Sequence, residues 1–364
     1  WTAAYTANAS DTDGSVTYSI AFSDSAGNAG TAVTSGSGSV TFDKTAPTLS
    51  SVSIASNNST STLAAVGDNV TLSFTASETI STPVGTFLSG GAAITDTSVT
   101  YVNTSGNTWT AVYTTESNDT TGSVTYSIAF SDSAGNAGTA VTSGSGSVTF
   151  DKTSPTAAIT YSYAAPYKNG GTNVTITATF NGAVLDSPTP TIAIAGSGIA
   201  NVSSANMSKT STTVYTYTYA VPTGDGTGTV TVGTGTDAAG NVVTSTPTSG
   251  ATFTVDNTAP TLSSVSIASN NSTTTLAKAS NVVTLTFTAS ETIATPVVTF
   301  QSGSAAITNT SITYVNTSGN IWTAAYTAHA SDTDGSVTYS IAFSDSAGNA
   351  GTAVTSGTGS VTFD

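Results

Sequence analysis

The sequence predicts an all-β chain: tandem two-sheet Greek-key β-sandwiches, three of them complete and preceded by the second half of a fourth. Three observations predict this. One long segment recurs at a fixed spacing, large apolar residues alternate with small ones, and Gly, Asn, Asp and Ser clusters punctuate those runs at turn-like intervals.

The repeat sets the boundaries. The stretch GSVTYSIAFSDSAGNAGTAVTSGSGSVTFD at 14–43 returns unchanged at 122–151, and at 335–364 with Thr358 in place of Ser37. Trp1, Trp109 and Trp322 open the matching segments, and a divergent copy fills the double-length gap between the last two. There Tyr215 stands at the Trp position and TDAAGN (236–241) replaces SDSAGN (131–136). The boundary sequences are DKTAP (43–47), DKTSP (151–155) and DNTAP (256–260). Complete repeats therefore run 44–151, 152–256 and 257–364, and 1–43 is the second half of an earlier one.

Each repeat reads as short strands. In Val16-Thr17-Tyr18-Ser19-Ile20-Ala21-Phe22 the large side chains fall on every second residue, the signature of a half-buried strand. Val70-Thr71-Leu72-Ser73-Phe74 and Val40-Thr41-Phe42 do the same. No apolar pattern at helical spacing extends beyond about two turns. Trp1, Trp109 and Trp322 recur in register, which reads as core packing. Tyr18, Tyr126 and Tyr339 sit where a tyrosine corner would form.

The order TLSFTASET, a Trp-bearing strand, YSIAFSDSAGN and then VTFDKTAP resembles the bacterial immunoglobulin-like repeats of giant surface adhesins and their extender regions. The resemblance covers essentially the whole chain and is carried most by D-x-A-G-N and D-x-T-A/S-P at fixed spacing. It implies tandem extracellular domains, often stiffened by calcium. Residues 152–256 depart most from the pattern.

Composition narrows the chemistry. Of 364 residues only 7% are charged, Arg is absent, and the net charge is −15. A surface this poor in cations does not grip nucleic-acid phosphate or anionic lipid through a basic patch. There are no cysteines, hence no disulfides or thiolate chemistry. No run of 18 apolar residues is present to span a bilayer, so no direct membrane insertion is expected of this segment. Trp1 opens the chain in mid-pattern, which reads as an internal segment of something longer. His329 is the only histidine, and the sister repeats hold Asn8 and Glu116 at its position, so triads and zinc sites lack parts. Carboxylates recurring once per repeat do not make one catalytic site. The expectation is a non-enzyme.

Those carboxylates are the sharpest signal. In a sandwich of this kind, the loop holding Asp132 and Asn136 and the turn holding Glu78 lie at the same end, where Asp43 closes the preceding domain. These residues are expected to converge, as are Asp256, Glu291, Asp345 and Asn349 at the last seam. The middle seam keeps Asp151, Asp237 and Asn241, with Asn181 read at the Glu position. The loop before the penultimate strand adds Asp11, Asp13, Asp119 and Asp225, with Asp332 and Asp334 in the last repeat. Three carboxylates within a few ångströms repel one another unless a cation bridges them, and Ca2+ suits an all-oxygen site. The competing reading is that these Asp and Asn residues only shape turns and cap strand ends. Lys44 and Lys152 read as solvated linker residues.

Near-identity between units suits a spacer, so the leading expectation is the stalk or extender of a surface adhesin or appendage, its partners being neighbouring repeats of the same chain. The runner-up is a self-assembling extracellular filament or sheath, motivated by the uncovered half-domain at 1–43. A third reading is a glycan- or protein-binding module on 152–256, whose YSYAAPYKNGG (161–171) gathers Tyr161, Tyr163 and Tyr167.

Overall fold

The structure, a computed structural model, describes residues 1–364. Residues 1–43 form one small ladder, β1 (Gly14–Ser15) with β2 (Thr41–Phe42). The first complete domain holds β3 (Leu49–Ser56), β4 (Leu63–Ala64), β5 (Asn69–Ala76), β6 (Val84–Ser89), β7 (Ala92–Ala93), β8 (Thr100–Ser105), β9 (Thr108–Thr114), β10 (Gly122–Ala129) and β11 (Thr149–Phe150). The divergent domain holds β12 (Ala157–Tyr161), β13 (Val174–Phe180), β14 (Thr191–Ala195), β15 (Val202–Asn206), β16 (Ser208–Lys209), β17 (Val214–Tyr219), β18 (Gly226–Gly233) and β19 (Thr252–Val255). The last holds β20 (Leu262–Ser269), β21 (Leu276–Ala277), β22 (Val282–Ala289), β23 (Val297–Ser302), β24 (Ala305–Ala306), β25 (Thr313–Ser318), β26 (Ile321–Thr327), β27 (Gly335–Ala342) and β28 (Thr362–Phe363). The chain is all-β, and no helix is long and apolar enough to cross a membrane.

Each complete domain is a two-sheet sandwich. In the first, one sheet runs β3-β5-β9-β8 and the other β4-β11-β10-β6-β7, and the last domain repeats this as β20-β22-β26-β25 and β21-β28-β27-β23-β24. The short β4 pairs parallel to β11, and β21 to β28, so the first strand's continuation crosses to the second sheet. The divergent domain orders its sheets β12-β13-β17-β16 and β15-β14-β18-β19. Its counterpart of that crossing strand is a single parallel bridge, Tyr167 to Val255.

Period-two patterning becomes burial. Along β5, Val70, Leu72, Phe74 and Ala76 point into the core while Thr71, Ser73 and Thr75 stay half exposed. Three apolar clusters result, within 54–150, 157–255 and 265–363. Trp109 and Trp322 lie in two of them, and Tyr215 takes the same place in the third, where its hydroxyl donates to Val184 O (3.0 Å) and Asp186 Oδ1 (2.9 Å).

Two expectations need correcting. Trp1 is fully exposed, and Tyr18, Ile20 and Phe22 are each about half exposed, because residues 1–43 contain no counterparts of β3–β7 to cover them. The tyrosine corner does not form in the first complete domain either. The Tyr126 hydroxyl is buried with no hydrogen-bond partner, facing Gly144, where a Cβ would lie 2.8 Å away.

By contacts, residues 1–155 with 236–242 form one compact unit, and 156–235 with 243–364 a second. The first seam, at Asp43, lies inside the first unit, and the last, at Asp256, inside the second.

Candidate metal centre

The first seam is assembled by three turns. Asp43 directly follows β2, and its Oδ1 accepts Thr45 N (3.0 Å). Glu78 lies in the turn after β5, beside Ser77, whose hydroxyl accepts Thr48 N (3.0 Å). Asp132 sits in the turn after β10. An antiparallel bridge from Ile80 to Asp132, with Ser81 N donating to Ser131 O (2.9 Å), ties the Glu78 turn to it. One carboxylate oxygen from each of Asp43, Glu78 and Asp132 falls within 4.8 Å of the others, and Asp256, Glu291 and Asp345 repeat the arrangement within the same limit.

The electrostatics follow from crowding. The Glu78 carboxyl is pushed above its ordinary value, first by burial and then by the charges of Asp43, Asp132 and Asp13. Glu291 is raised likewise by burial and by Asp256, Asp345 and Asp225. Asp132 goes the other way. Burial opposes its charge, but the Asn136 side chain and the main-chain N–H groups of its own turn outweigh that and lower it. Its Oδ1 accepts Gly135 N (2.7 Å) and Asn136 N (2.9 Å), and its Oδ2 accepts Asn136 Nδ2 (2.7 Å). Neither Glu78 nor Glu291 has a hydrogen-bond donor of this kind. The donor set is hard, anionic and all oxygen, which fits calcium with carbonyls and waters completing six to eight ligands.

Asp13 and Asp225 border the same seams. Asp13 accepts the Lys44 N–H (3.0 Å) and the Thr45 hydroxyl, and Asp225 accepts the Asn257 N–H and the Thr258 hydroxyl. Those bonds, the hydroxyl foremost, hold both carboxyls below the usual range.

Several predicted residues do different work. Asn136, Asn241 and Asn349, expected among the oxygen ligands, present nitrogen: each Nδ2 donates to the Asp of its own turn and to the main-chain oxygen of Asp43 (3.1 Å), Asp151 (3.0 Å) and Asp256 (2.9 Å) respectively. Both acceptors lack a proton, so the amide oxygen cannot take that place. Asp11, Asp119 and Asp332 are turn carboxylates rather than seam residues. Asp119, buried, accepts Thr95 N (2.7 Å), Thr95 Oγ1 (2.9 Å) and Glu116 N (2.9 Å). Asp332 accepts Thr308 N (2.7 Å) and His329 N (2.9 Å), and Asp11 accepts Asn8 N (2.6 Å).

Around Asp151 and Asp237 only those two carboxylates remain. Asn181 does not occupy the Glu position: its Oδ1 accepts Thr156 N (2.9 Å), the bond that Ser77 and Ser290 make to Thr48 and Thr261. Gly182 is the true counterpart of Glu78, and Thr121 the counterpart of Asp13.

Of the tyrosines of 161–171 only Tyr167 is internal; Tyr161 is half-buried and Tyr163 exposed. Tyr167 is 1% exposed and its hydroxyl donates to Tyr163 O (3.0 Å); Tyr161 donates to Gly250 O (2.7 Å) and Tyr163 to Thr172 O. No ring presents an open stacking face with a free hydroxyl.

The linker lysines are exposed, as expected of solvated residues, and their ammonium groups are also held. Lys152 Nζ donates to Ser117 O (2.8 Å) and Asp119 O (2.7 Å), and Lys44 Nζ to Ala9 O (3.0 Å) and Asp11 O. Asn257 makes the equivalent pair with Nδ2, to Pro222 O (3.2 Å) and Gly224 O (2.9 Å). The Lys-to-Asn exchange hid this shared role, since the two side chains differ in charge and length.

Solved structures similar in fold include a tetra-tandem repeat from the extending region of a large adhesion protein (20% identity, 98% of this chain and 83% of that one, TM-score 0.40). A three-domain titin I-band fragment (14%, 88% and 99%, TM-score 0.33) and a marsupial T cell receptor (13%, 84% and 99%, TM-score 0.29) are also similar. No curated protein matches the chain. The family model for bacterial Ig-like domains (group 3) matches residues 1–145 and 210–358. With matches over most of its length, this chain belongs to the bacterial Ig-like domain (group 3) family.

Proposed function

We propose that this chain is a structural extender of a bacterial surface protein, an extracellular stalk segment whose first and last seams are stiffened by calcium. The observation that carries this is the pair of carboxylate triplets, Asp43–Glu78–Asp132 and Asp256–Glu291–Asp345, each drawing its acids from two adjoining domains. A protein gains nothing in stability by pressing three unscreened carboxylates together, and the Glu78 and Glu291 carboxyls are raised by burial first and by those neighbouring charges second. A divalent ion removes it and links both domains through one coordination shell. Near-identical repeats support a mechanical task common to every unit.

Isothermal titration of the whole chain with Ca2+ tests the proposal. Two sites are expected, with affinities on the order of 10⁻⁴–10⁻³ M as in other extracellular modules. Glu78→Gln and Glu291→Gln should each remove one. A chain that takes up no calcium, or binds it equally well with both glutamates replaced, refutes the stiffening mechanism and leaves a spacer with unbridged seams.

A further inference from the structure

The segment that sets the divergent domain apart, 161–172, runs from the last residue of β12 towards β13, where the other complete domains carry β4 and β21. Tyr167 anchors it. Tyr167 N donates to Thr254 O (2.9 Å), Asp256 N donates back to Tyr167 O (2.8 Å), and the ring packs 5.7 Å from that of Phe253. Residue 168 therefore emerges in fixed register beside the last strand of its domain. Asn169 secures the other side: its N–H donates to Asn257 Oδ1 (2.6 Å) and its Nδ2 to Val221 O (2.8 Å).

From this fixed base the Lys168 ammonium reaches the following domain and donates to the main-chain oxygen of Gly348, in the D-S-A-G-N turn. Ala347 of the same turn closes a small cleft with Tyr163, Pro166 and Tyr167. Gly348 has φ of +85°, and a Cβ there would lie 3.3 Å from the Lys168 Nζ, so the turn comes close to the ammonium at a position that favours glycine. The same place in the first complete domain is held by Asn58, between β3 and β4, whose Nδ2 donates to Ala239 O (2.8 Å) in the equivalent D-A-A-G-N turn. Different residues on unlike segments thus deliver a hydrogen-bond donor to the same kind of turn.

We infer that 161–172 is a docking surface for the next repeat, with Lys168 a strap that couples 152–256 to 257–364 without any metal. Its acceptor is a main-chain carbonyl of the turn that also carries Asp345, so the strap uses a different atom from the carboxylates that would hold calcium. Adjoining domains swivel by default unless the interface restrains them, and one ammonium bond on a rigid base restrains the arc about the linker.

The test uses the full chain, which has no native cysteine. Ser211→Cys and Thr317→Cys place one spin label on each of the two domains at exposed positions, and electron–electron double resonance reads the distance distribution between them. In chelator the parent should give a narrow distribution, Lys168→Met one broadened about twofold or more, and Lys168→Arg the parent width. Lys168→Met keeps the apolar stem, and an unchanged melting profile confirms its fold. Equal widths for parent and Lys168→Met in chelator overturn the strap. Adding Ca2+ separates the two proposals: narrowing of the Lys168→Met distribution supports the calcium seam, and its persistence at full width defeats the calcium seam while leaving the strap standing.

Discussion

The Asn136 side-chain amide donates to the main-chain oxygen of Asp43 at 3.1 Å, so a turn of one domain holds the last residue of its predecessor. Asp132 aims that amide by accepting its other proton at 2.7 Å, and Gly135, at φ +97°, lets the turn close tightly enough for both bonds. The D-x-A-G-N motif is therefore a turn and a seam in one. The carboxylate that shapes the turn also faces Glu78 and Asp43, so the turn reading and the metal reading of Asp132 describe the same side chain.

Asn136→Ala should weaken calcium binding at the first seam without removing a ligand. The amide restrains both Asp132 and the backbone of Asp43, and losing such an outer contact typically costs roughly ten- to a hundredfold in metal affinity. Titration of the variant should show one site weakened and the site at Asp256–Glu291–Asp345 unchanged. Equal weakening of both sites would mean that the effect is not local to the seam.

The raised carboxyls of Glu78 and Glu291 set a pH dependence. Their folded-state pKa lies above the ordinary 4.5, so the folded chain binds protons more tightly than the unfolded chain in that window. Without calcium, the contribution of these two groups to stability should then be fully present below about 4.5 and lost as pH rises through the folded pKa, while the lowered Asp13, Asp132 and Asp225 contribute with the opposite sign at lower pH. Protons compete with calcium for the same oxygens, so the calcium-induced rise in Tm should instead grow with pH. Thermal melts from about pH 5 to about pH 7, in chelator and in calcium, check both slopes. Glu78→Gln with Glu291→Gln should flatten each of them.

Asp119→Ala should unfold rather than unbind. Its carboxylate is buried and accepts three donors from Thr95 and Glu116, so truncation strands those groups and costs about 2–5 kcal/mol. Urea titration should show the loss in the domain spanning 44–151, while calcium uptake at folded seams keeps its stoichiometry. Loss of a calcium site with unchanged stability would return Asp119 to the list of ligands.

The architecture was legible because its signals are local or periodic: burial along β5 follows Val70, Leu72, Phe74 and Ala76 residue by residue. The approach of Glu78 to Asp132 was also readable, since loops of a Greek-key sandwich return to known ends. Direction was not. Whether Asn136 offers oxygen or nitrogen depends on two unprotonated acceptors brought near it by the fold, and sequence does not carry that. The divergent domain misled at Asn181 because Asn-Gly stands where Ser-Glu stands elsewhere, and only the bond to Thr156 N shows which residue matches which. The tyrosines of 161–171 read as a candidate binding cluster because β4 has no periodic counterpart there. The fold replaces that strand by the single buried Tyr167.

Tyr167 gives the sharpest contrast between core and binding surface. With 1% of its surface exposed and its ring against those of Tyr161, Tyr163 and Phe253, Tyr167→Ala should destabilise the divergent domain by about 3–5 kcal/mol, as for other buried aromatics. Tyr163→Ala, at a 38% exposed position, should cost much less. Tyr167→Phe removes only the bond to Tyr163 O and should cost about 1 kcal/mol. Chemical denaturation of the three variants checks the order. A stable Tyr167→Ala chain that loses binding to a glycan array would restore the ligand reading, because a core aromatic cannot be removed without a stability cost of this size.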